Sequence, residues 1–293
     1  MRLDYLALGN PTLDVQAGGS FVLGGSVVYS AVQAARLGLS AEIVGRANPA
    51  QLEPYWQPYA GEVRLRLQPA ESTTMFRNVS AGDAREQWLE GWAGEIDDLS
   101  HVPDSDILHI APVAQEVTLE KLVGECRSRF ALLTPQGLVR HWDRIGARVA
   151  LEPRAFLAAV WSVVDVVVVS EIEAPYVSDL LDAVPRHGGL GVVTQGRQGC
   201  EVLTREGSTK YTADSVRTLV DSTGAGDCFA ATLTTEVFRG RPVPEAVRLA
   251  TAAASLCVSG QGPATIGGRA EIMTERGSSP GVLGLLGPPC PGR

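Results

Sequence analysis

The spacing of apolar residues changes along the chain, and each change marks an element. Residues 3–9 alternate as a strand ending in Gly9-Asn10-Pro11, and residues 19–24 read as a second short strand closed by Gly24-Gly25. From Ser26 the spacing becomes helical as far as Leu37, and Gly38 stands where a helix end favours glycine. A strand over 41–46 follows. Between Gly61 and Glu95 the residues alternate strictly in Glu62-Val-Arg-Leu-Arg-Leu-Gln68, again in Thr73-Thr-Met-Phe76-Arg-Asn-Val79, and again around Trp88. Such segments predict antiparallel strands with one wet face, placed as a flap over a pocket rather than as a core layer.

Beyond residue 105 the pattern is different. Continuous apolar runs at 106–110, 130–134, 164–169 and 191–194 alternate with helical stretches, which suits strands buried on both faces of a parallel sheet. Two long helices are expected at roughly 225–239 and 243–259. The Gly/Pro-rich stretch 277–293 reads as a loose tail, leaving 1–276 as one domain with a lid drawn from about 11–24 and 61–95.

Composition narrows the classes of function. With 293 residues, 45% of them hydrophobic and 20% charged, the chain can bury a large core and is not of disordered type. A net charge of -8 and the lack of a Lys/Arg run argue against nucleic acid as partner. No apolar run approaches the ~20 residues of a membrane helix, and the first residues read as a strand rather than a secretory signal, so a cytoplasmic protein is expected. Cys126, Cys200, Cys228, Cys257 and Cys290 form no metal-ligand spacing, and His101, His109, His141 and His187 form no nucleophile or metal set. A P-loop and an opening G-x-G-x-x-G are both missing, which removes two common nucleotide-binding readings.

Chemistry concentrates in Asp221-Ser-Thr-Gly224-Ala225-Gly226-Asp227, a Gly-rich turn feeding an apolar helix. Free backbone N–H groups and the helix dipole converge there on one spot, which suits an anion such as a phosphoryl group in transfer. A carboxylate beside that spot suits the removal of a proton from an attacking hydroxyl. An Asp in a first helical turn also serves as a cap, so the turn alone leaves Asp227 open between the two roles.

That turn resembles the D-[ST]-x-G-A-G-D motif of the ribokinase-like (PfkB) carbohydrate kinases at every fixed position. Gly24-Gly25-Ser-Val-Val-Tyr29-Ser-Ala31, continuing to Gly38, is similar to the family's N-terminal G-G-x-x-x-N-x-A segment. Val192-Val-Thr194-Gln-Gly196-Arg-Gln-Gly199 is similar to its V-T-x-G-x-x-G strand and turn. The resemblance implies an α/β, ribokinase-like fold: a central, mostly parallel sheet with helices on both faces plus a small β-sheet lid. It implies Asp227 as base and the N–H groups of Gly224, Ala225 and Gly226 as stabilisers of the moving charge. Asp14, Gly24, Gly25 and Tyr29 fall at the acceptor end, with Asp14 also readable as a turn-forming residue. Thr194, Gly196, Gly199 and Thr251 fall along the nucleotide, although a strand-to-hairpin turn accounts equally for the first three.

The implied cofactors are ATP and Mg2+, with a monovalent cation near Asp221. The implied partners are a small-molecule alcohol and a nucleotide, with a homodimer through the lid. Glu173 in Ser170-Glu-Ile-Glu173 takes the family's metal-organising place, but Ser170 replaces its Asn, and a Ser170/Glu173 capping box is an equal reading. Tyr29 replaces an amide with a ring, so the acceptor is not handled as ribose is. Gln136 and Arg140, after an apolar strand, are added as acceptor candidates, Arg140 being also readable as a surface residue. Phe76 and Trp88 are available for stacking a base. The expectation is a kinase for a sugar or a myo-inositol-like cyclitol, with a nucleoside kinase and a non-catalytic binding protein as alternatives.

Overall fold

The structure is a computed structural model that describes residues 2–16, 18–81, 84–100, 102–122, 127–213 and 219–277. The expected tail beyond 277, together with His101, Cys126 and Cys290, lies outside the described residues.

In chain order the strands and helices are β1 (Leu3–Leu8), β2 (Thr12–Val15), β3 (Phe21–Gly24), α1 (Ser26–Arg36), β4 (Ala41–Ala47), α2 (Pro49–Trp56), β5 (Val63–Pro69), β6 (Thr74–Ala81) and β7 (Ala84–Gly91). Then come β8 (Ser105–Ile110), α3 (Leu119–Leu122), β9 (Ser128–Leu133), β10 (Arg140–His141), β11 (Ala150–Leu151), α4 (Ala158–Trp161), β12 (Val166–Ser170) and α5 (Ser178–Arg186). The chain continues through β13 (Leu190–Thr194), β14 (Cys200–Thr204), β15 (Gly207–Tyr211), α6 (Ala225–Phe238), α7 (Val243–Cys257) and α8 (Arg269–Gly277).

Nine strands form the main sheet in the order β15-β14-β13-β12-β9-β8-β1-β4-β5, parallel from β5 to β13, with β14 and β15 returning antiparallel. The valines of β12 show why this sheet is central: Val166 to Val169 are all buried, alternately toward the two helix layers. Each contributes about 1.5–3 kcal/mol by leaving water. Helices α1, α6 and α7 cover one face, and α3, α4 and α5 cover the other. Strand order reverses between β1 and β8, so the carboxyl ends of these strands open a crevice, the usual place for a ligand on an open α/β sheet.

The second sheet is the lid, β3-β2-β6-β7. Two sequence expectations change here. Residues 63–69, expected in an antiparallel flap, are the edge strand of the main sheet and run parallel to β4. Their alternation reflects an edge exposed on one side, where Arg64 and Arg66 pair with the buried Glu42. Asp14, readable as a turn residue, lies within β2, which pairs with β3 and, in parallel, with β6.

Glu236, 1% exposed on α6, ties the helical face together. It accepts hydrogen bonds from Arg239 at 2.9 Å, from Arg269 of α8 at 3.0 Å and from Arg241. Burial alone would raise its carboxyl, but the three guanidinium groups outweigh it and hold the carboxyl below its ordinary range. The stability it adds is therefore present above the unfolded value and lost as pH falls through the folded one. Because the arginines keep partial access to water, Glu236→Ala is expected to cost about 2 kcal/mol, read as a lower midpoint in urea, without changing any property of the site per folded molecule.

Candidate active site

The Gly-rich turn is built by its own side chains. Asp221 Oδ1 accepts the Thr223 N–H at 2.9 Å and the Thr223 hydroxyl at 2.7 Å, and the Val220 N–H donates to Val258 O at 2.8 Å. Gly224 then takes a left-handed φ of 81° as the residue before α6. Only glycine suits this position, since a Cβ there would run into the Tyr29 ring. Tyr29, 1% exposed on α1, therefore underpins the turn. The start of α6 has no side-chain cap; the Ala225 N–H makes one long bond, to Ser222 O at 3.4 Å, and Ala225 and Gly226 line the cleft.

Asp227 sits in that first turn. Its side chain is partly accessible, yet the surrounding protein is dense enough to push the carboxyl up to about 7. Burial is the main cause, the charge of Glu173 adds to it, and the Ser26 hydroxyl and the charge of Arg140 oppose it. A carboxyl poised near neutrality is matched to accepting a proton from an alcohol.

On one side of Asp227 a cleft follows α6 and α7. Thr194, Gly196, Gly199, Ala225, Gly226 and Thr251 line it, and Leu219, Phe229, Ala254 and Val258 add apolar wall. The four positions expected along a nucleotide are thus brought to one surface with the anion turn.

On the other side lie the lid and the loop after β9. Asp14 is buried and accepts from the Thr12 hydroxyl at 3.4 Å and the Asn78 amide at 3.5 Å, and Gln87 donates to Asn78 at 2.9 Å. Gly25, with φ of 96°, lets the chain pass from β3 into α1, where a Cβ would meet Asn10 O at 2.9 Å. Gly24 lies against Thr12 and Asp14. Arg140, half-buried, lies over the Phe76 ring at 5.1 Å and donates to Val113 O at 2.9 Å, so the surface reading is set aside. Gln136 donates to Glu173 Oε1 at 2.9 Å. The other carboxylate oxygen of Glu173 accepts the Ser170 hydroxyl at 2.7 Å and the Ser170 N–H at 3.1 Å, while the Glu173 N–H donates to Ser170 Oγ at 3.3 Å. The reciprocal bonds of a capping box are therefore formed, but across a turn rather than at a helix start, and the charge of Glu173 still acts on Asp227.

The pairing of Phe76 and Trp88 as stacking partners does not survive. Opposite each other in the register are Phe76 and Leu89, and Arg77 and Trp88, so the two rings point to opposite faces of the lid. Trp88 carries Arg77 over its ring at 4.5 Å. Sequence reading missed Asn78, Gln87 and Ser26. The alternation in β6 put Asn78 on the same face as Phe76, which was the available signal.

His109 is fully buried between the Tyr5 hydroxyl at 2.8 Å and the Thr134 hydroxyl at 3.0 Å. Burial pushes it down to about 3, so it is neutral and structural. Glu116, also buried, accepts N–H groups from Asn10, Val113 and Ala114 and so fastens the β1 and β8 loops at the crevice.

These features define an α/β fold of ribokinase type with a Gly-rich turn, a half-buried carboxyl and a lid. The fold is shared with a pyrophosphate-dependent kinase in the ribokinase family, solved as a sulfate complex (TM-score 0.76, 18% identity, 92% of this chain and 99% of that one). It is shared also with Arabidopsis thaliana ribokinase complexed with ribose and ATP (0.69, 18%, 95% and 100%). Burkholderia thailandensis nucleoside kinase in complex with inosine is similar as well (0.71, 18%, 93% and 96%).

Residues 156–267 match the family described as pfkB family carbohydrate kinase. Among curated relatives, the bifunctional protein HldE of Pseudomonas savastanoi pv. phaseolicola (strain 1448A / Race 6) is 37% identical over 100 residues, 33% of this chain. HldE of Ectopseudomonas mendocina (strain ymp) is 36% identical over the same length. The chain spans about a fifth, 21%, of the length of these relatives.

Proposed function

We propose that the protein is a kinase that moves the terminal phosphoryl group of a nucleotide to a hydroxyl of a sugar or a myo-inositol-like cyclitol. The observation that carries this is Asp227: a carboxyl raised to about 7 at an uncapped helix start, between an apolar-walled cleft and a polar lid. Asp227 takes the proton of the acceptor hydroxyl as its oxygen bonds to phosphorus. The bond from phosphorus to the leaving diphosphate breaks, and the N–H groups of Gly224, Ala225 and Gly226 hold the charge on the moving group. Asp14, Asn78 and Gln87 orient the other hydroxyls of the acceptor.

Glu173, whose charge acts on Asp227, would hold a magnesium ion through the ion's water shell. When bound, the ion offsets phosphate charge.

Three of the structures with this fold belong to pyrophosphate-dependent kinases, one complexed with a pyrophosphate analog and myo-inositol and one a myo-inositol-1 kinase converted into a myo-inositol-3 kinase. The apolar wall of Phe229, Ala254 and Val258 beyond the phosphate turn favours a nucleotide base over pyrophosphate. A nucleoside acceptor is disfavoured, because the Phe76 ring is covered by Arg140 and Trp88 faces away. Among the described residues no helix is long and apolar enough to cross a membrane, and Cys200, Cys228 and Cys257 are free and buried, which supports a reducing, cytoplasmic setting.

The test is a transfer assay with magnesium, crossing ATP, GTP, ADP and pyrophosphate with ribose, fructose, myo-inositol, adenosine and cytidine. Product from a nucleotide and a sugar or cyclitol is expected. Product only with nucleosides, or only from pyrophosphate, replaces that part of the reading. Nucleotide binding with no transfer to any acceptor favours a non-catalytic binding protein.

A further inference from the structure

Strand β7 does not end the lid sheet. Between β10 and β11 the chain leaves the main domain and runs antiparallel to β7. The Gly146 N–H donates to Leu89 O at 2.7 Å, the Leu89 N–H to Ala147 O at 3.1 Å and the Val149 N–H to Gln87 O at 2.8 Å, with Arg148 opposite Trp88. A turn closed by the Ala147 N–H on Arg144 O at 3.0 Å, with Gly146 at φ 82°, brings the segment into register.

Packing reinforces the pairing. Trp142 stands edge-on to Trp92 with ring centroids 5.9 Å apart, and Trp142 and Val149 pack on the cluster of Phe76, Leu89, Val113 and Ala114. The Arg148–Glu86 ion pair at 3.0 Å is largely exposed and adds little. Both ends of the segment are rooted in the main domain: Gln115 donates to Arg140 O, and the Glu152 N–H donates to Val139 O at 2.8 Å.

We infer that residues 146–149 are a built-in fifth strand of the lid and, with the loop from Trp142 that carries them, the positioning device of its acceptor end. The loop that carries it leaves β10, where the Arg140 guanidinium lies over Phe76 of the lid, so the position of the lid and the position of Arg140 are set together. An unpaired β7 would offer its backbone to another chain, and this segment occupies that edge from within the same chain. A homodimer formed by pairing along β7 is thereby disfavoured. Describing Arg140 as acceptor-facing rests on the kinase reading; the strand pairing does not.

Two variants test this. Val149→Pro removes the donor to Gln87 O, and the milder Gly146→Ala places a side chain at a left-handed φ; neither touches Asp227 or the donor cleft. Native-state hydrogen exchange of residues 86–91 is expected to lose protection by about 10-fold or more in both, with β1 and β8 unchanged. In the active enzyme the acceptor KM is expected to rise about 10-fold while the donor KM stays within about 2-fold. Unchanged exchange at 86–91, or equal shifts of the two KM values, overturns the inference. If the wild type phosphorylates no acceptor, the kinase reading falls and the exchange result still decides the strand.

Discussion

Asp227→Asn is expected to lower turnover by about 100-fold or more while raising the melting temperature of the ligand-free protein. Asn keeps the shape of the side chain and its contact with Ser26 but cannot take a proton, so loss of rate with donor binding retained marks the base. The stability effect follows from linkage. The folded-state carboxyl titrates near 7, above its ordinary 3.8, so the folded state holds the proton more tightly than the unfolded chain does. Ionising it costs stability, a cost absent below the unfolded value and complete above about 7.

Asn carries no such cost, so the gain in melting temperature over wild type is expected to be larger at about pH 8 than at about pH 4. The same titration predicts that wild-type kcat/KM falls with unit slope below about pH 7. A wild-type profile flat to about pH 5, or a variant keeping more than about a tenth of the turnover, removes Asp227 as base.

Gly226→Ala and Gly224→Ala are expected to fail in opposite ways, although they are two residues apart. A Cβ at Gly226 meets no heavy atom within 4 Å, and Ala is the better helix former by up to about 1 kcal/mol. The variant is expected to melt at or above the wild-type temperature. Its methyl would stand on the cleft wall that Gly226 lines, so under the kinase reading turnover is expected to drop about 100-fold by crowding the phosphoryl group.

At Gly224 the φ of 81° costs an L-residue about 1–2 kcal/mol, and the added methyl collides with Tyr29 as well. Gly224→Ala is expected to lose stability and activity together. Thermal melts alongside single-turnover rates separate the two. A Gly226→Ala protein with full turnover would show that the turn is structural only.

Much of the fold was legible because burial on both faces leaves a direct mark. The continuous apolar runs of β8, β9, β12 and β13 read as parallel-sheet strands, and α6 and α7 read as long helices within about two residues of their ends. The anion turn was legible because its chemistry is local: three glycine or alanine positions and one carboxylate in a single stretch of chain. Strand β5 was misplaced because an edge strand of a main sheet and a strand of a lid both show one wet face, and alternation cannot separate them. Trp88 was misassigned because sheet faces depend on register, and a bulge between Met75 and Phe76 sets that register.

The sequence by itself determined the α/β class and the Gly-rich turn that ends in Asp227, because these depend on patterns confined to neighbouring residues. Tertiary structure alone decided that Tyr29 supports Gly224, that Glu173 is shared by Ser170 and Gln136, and that residues 146–149 complete the lid. Each of these joins residues from separate parts of the chain. The raised carboxyl of Asp227 belongs to the same group, because the buried surroundings and the charge of Glu173 that raise it come from elsewhere in the fold.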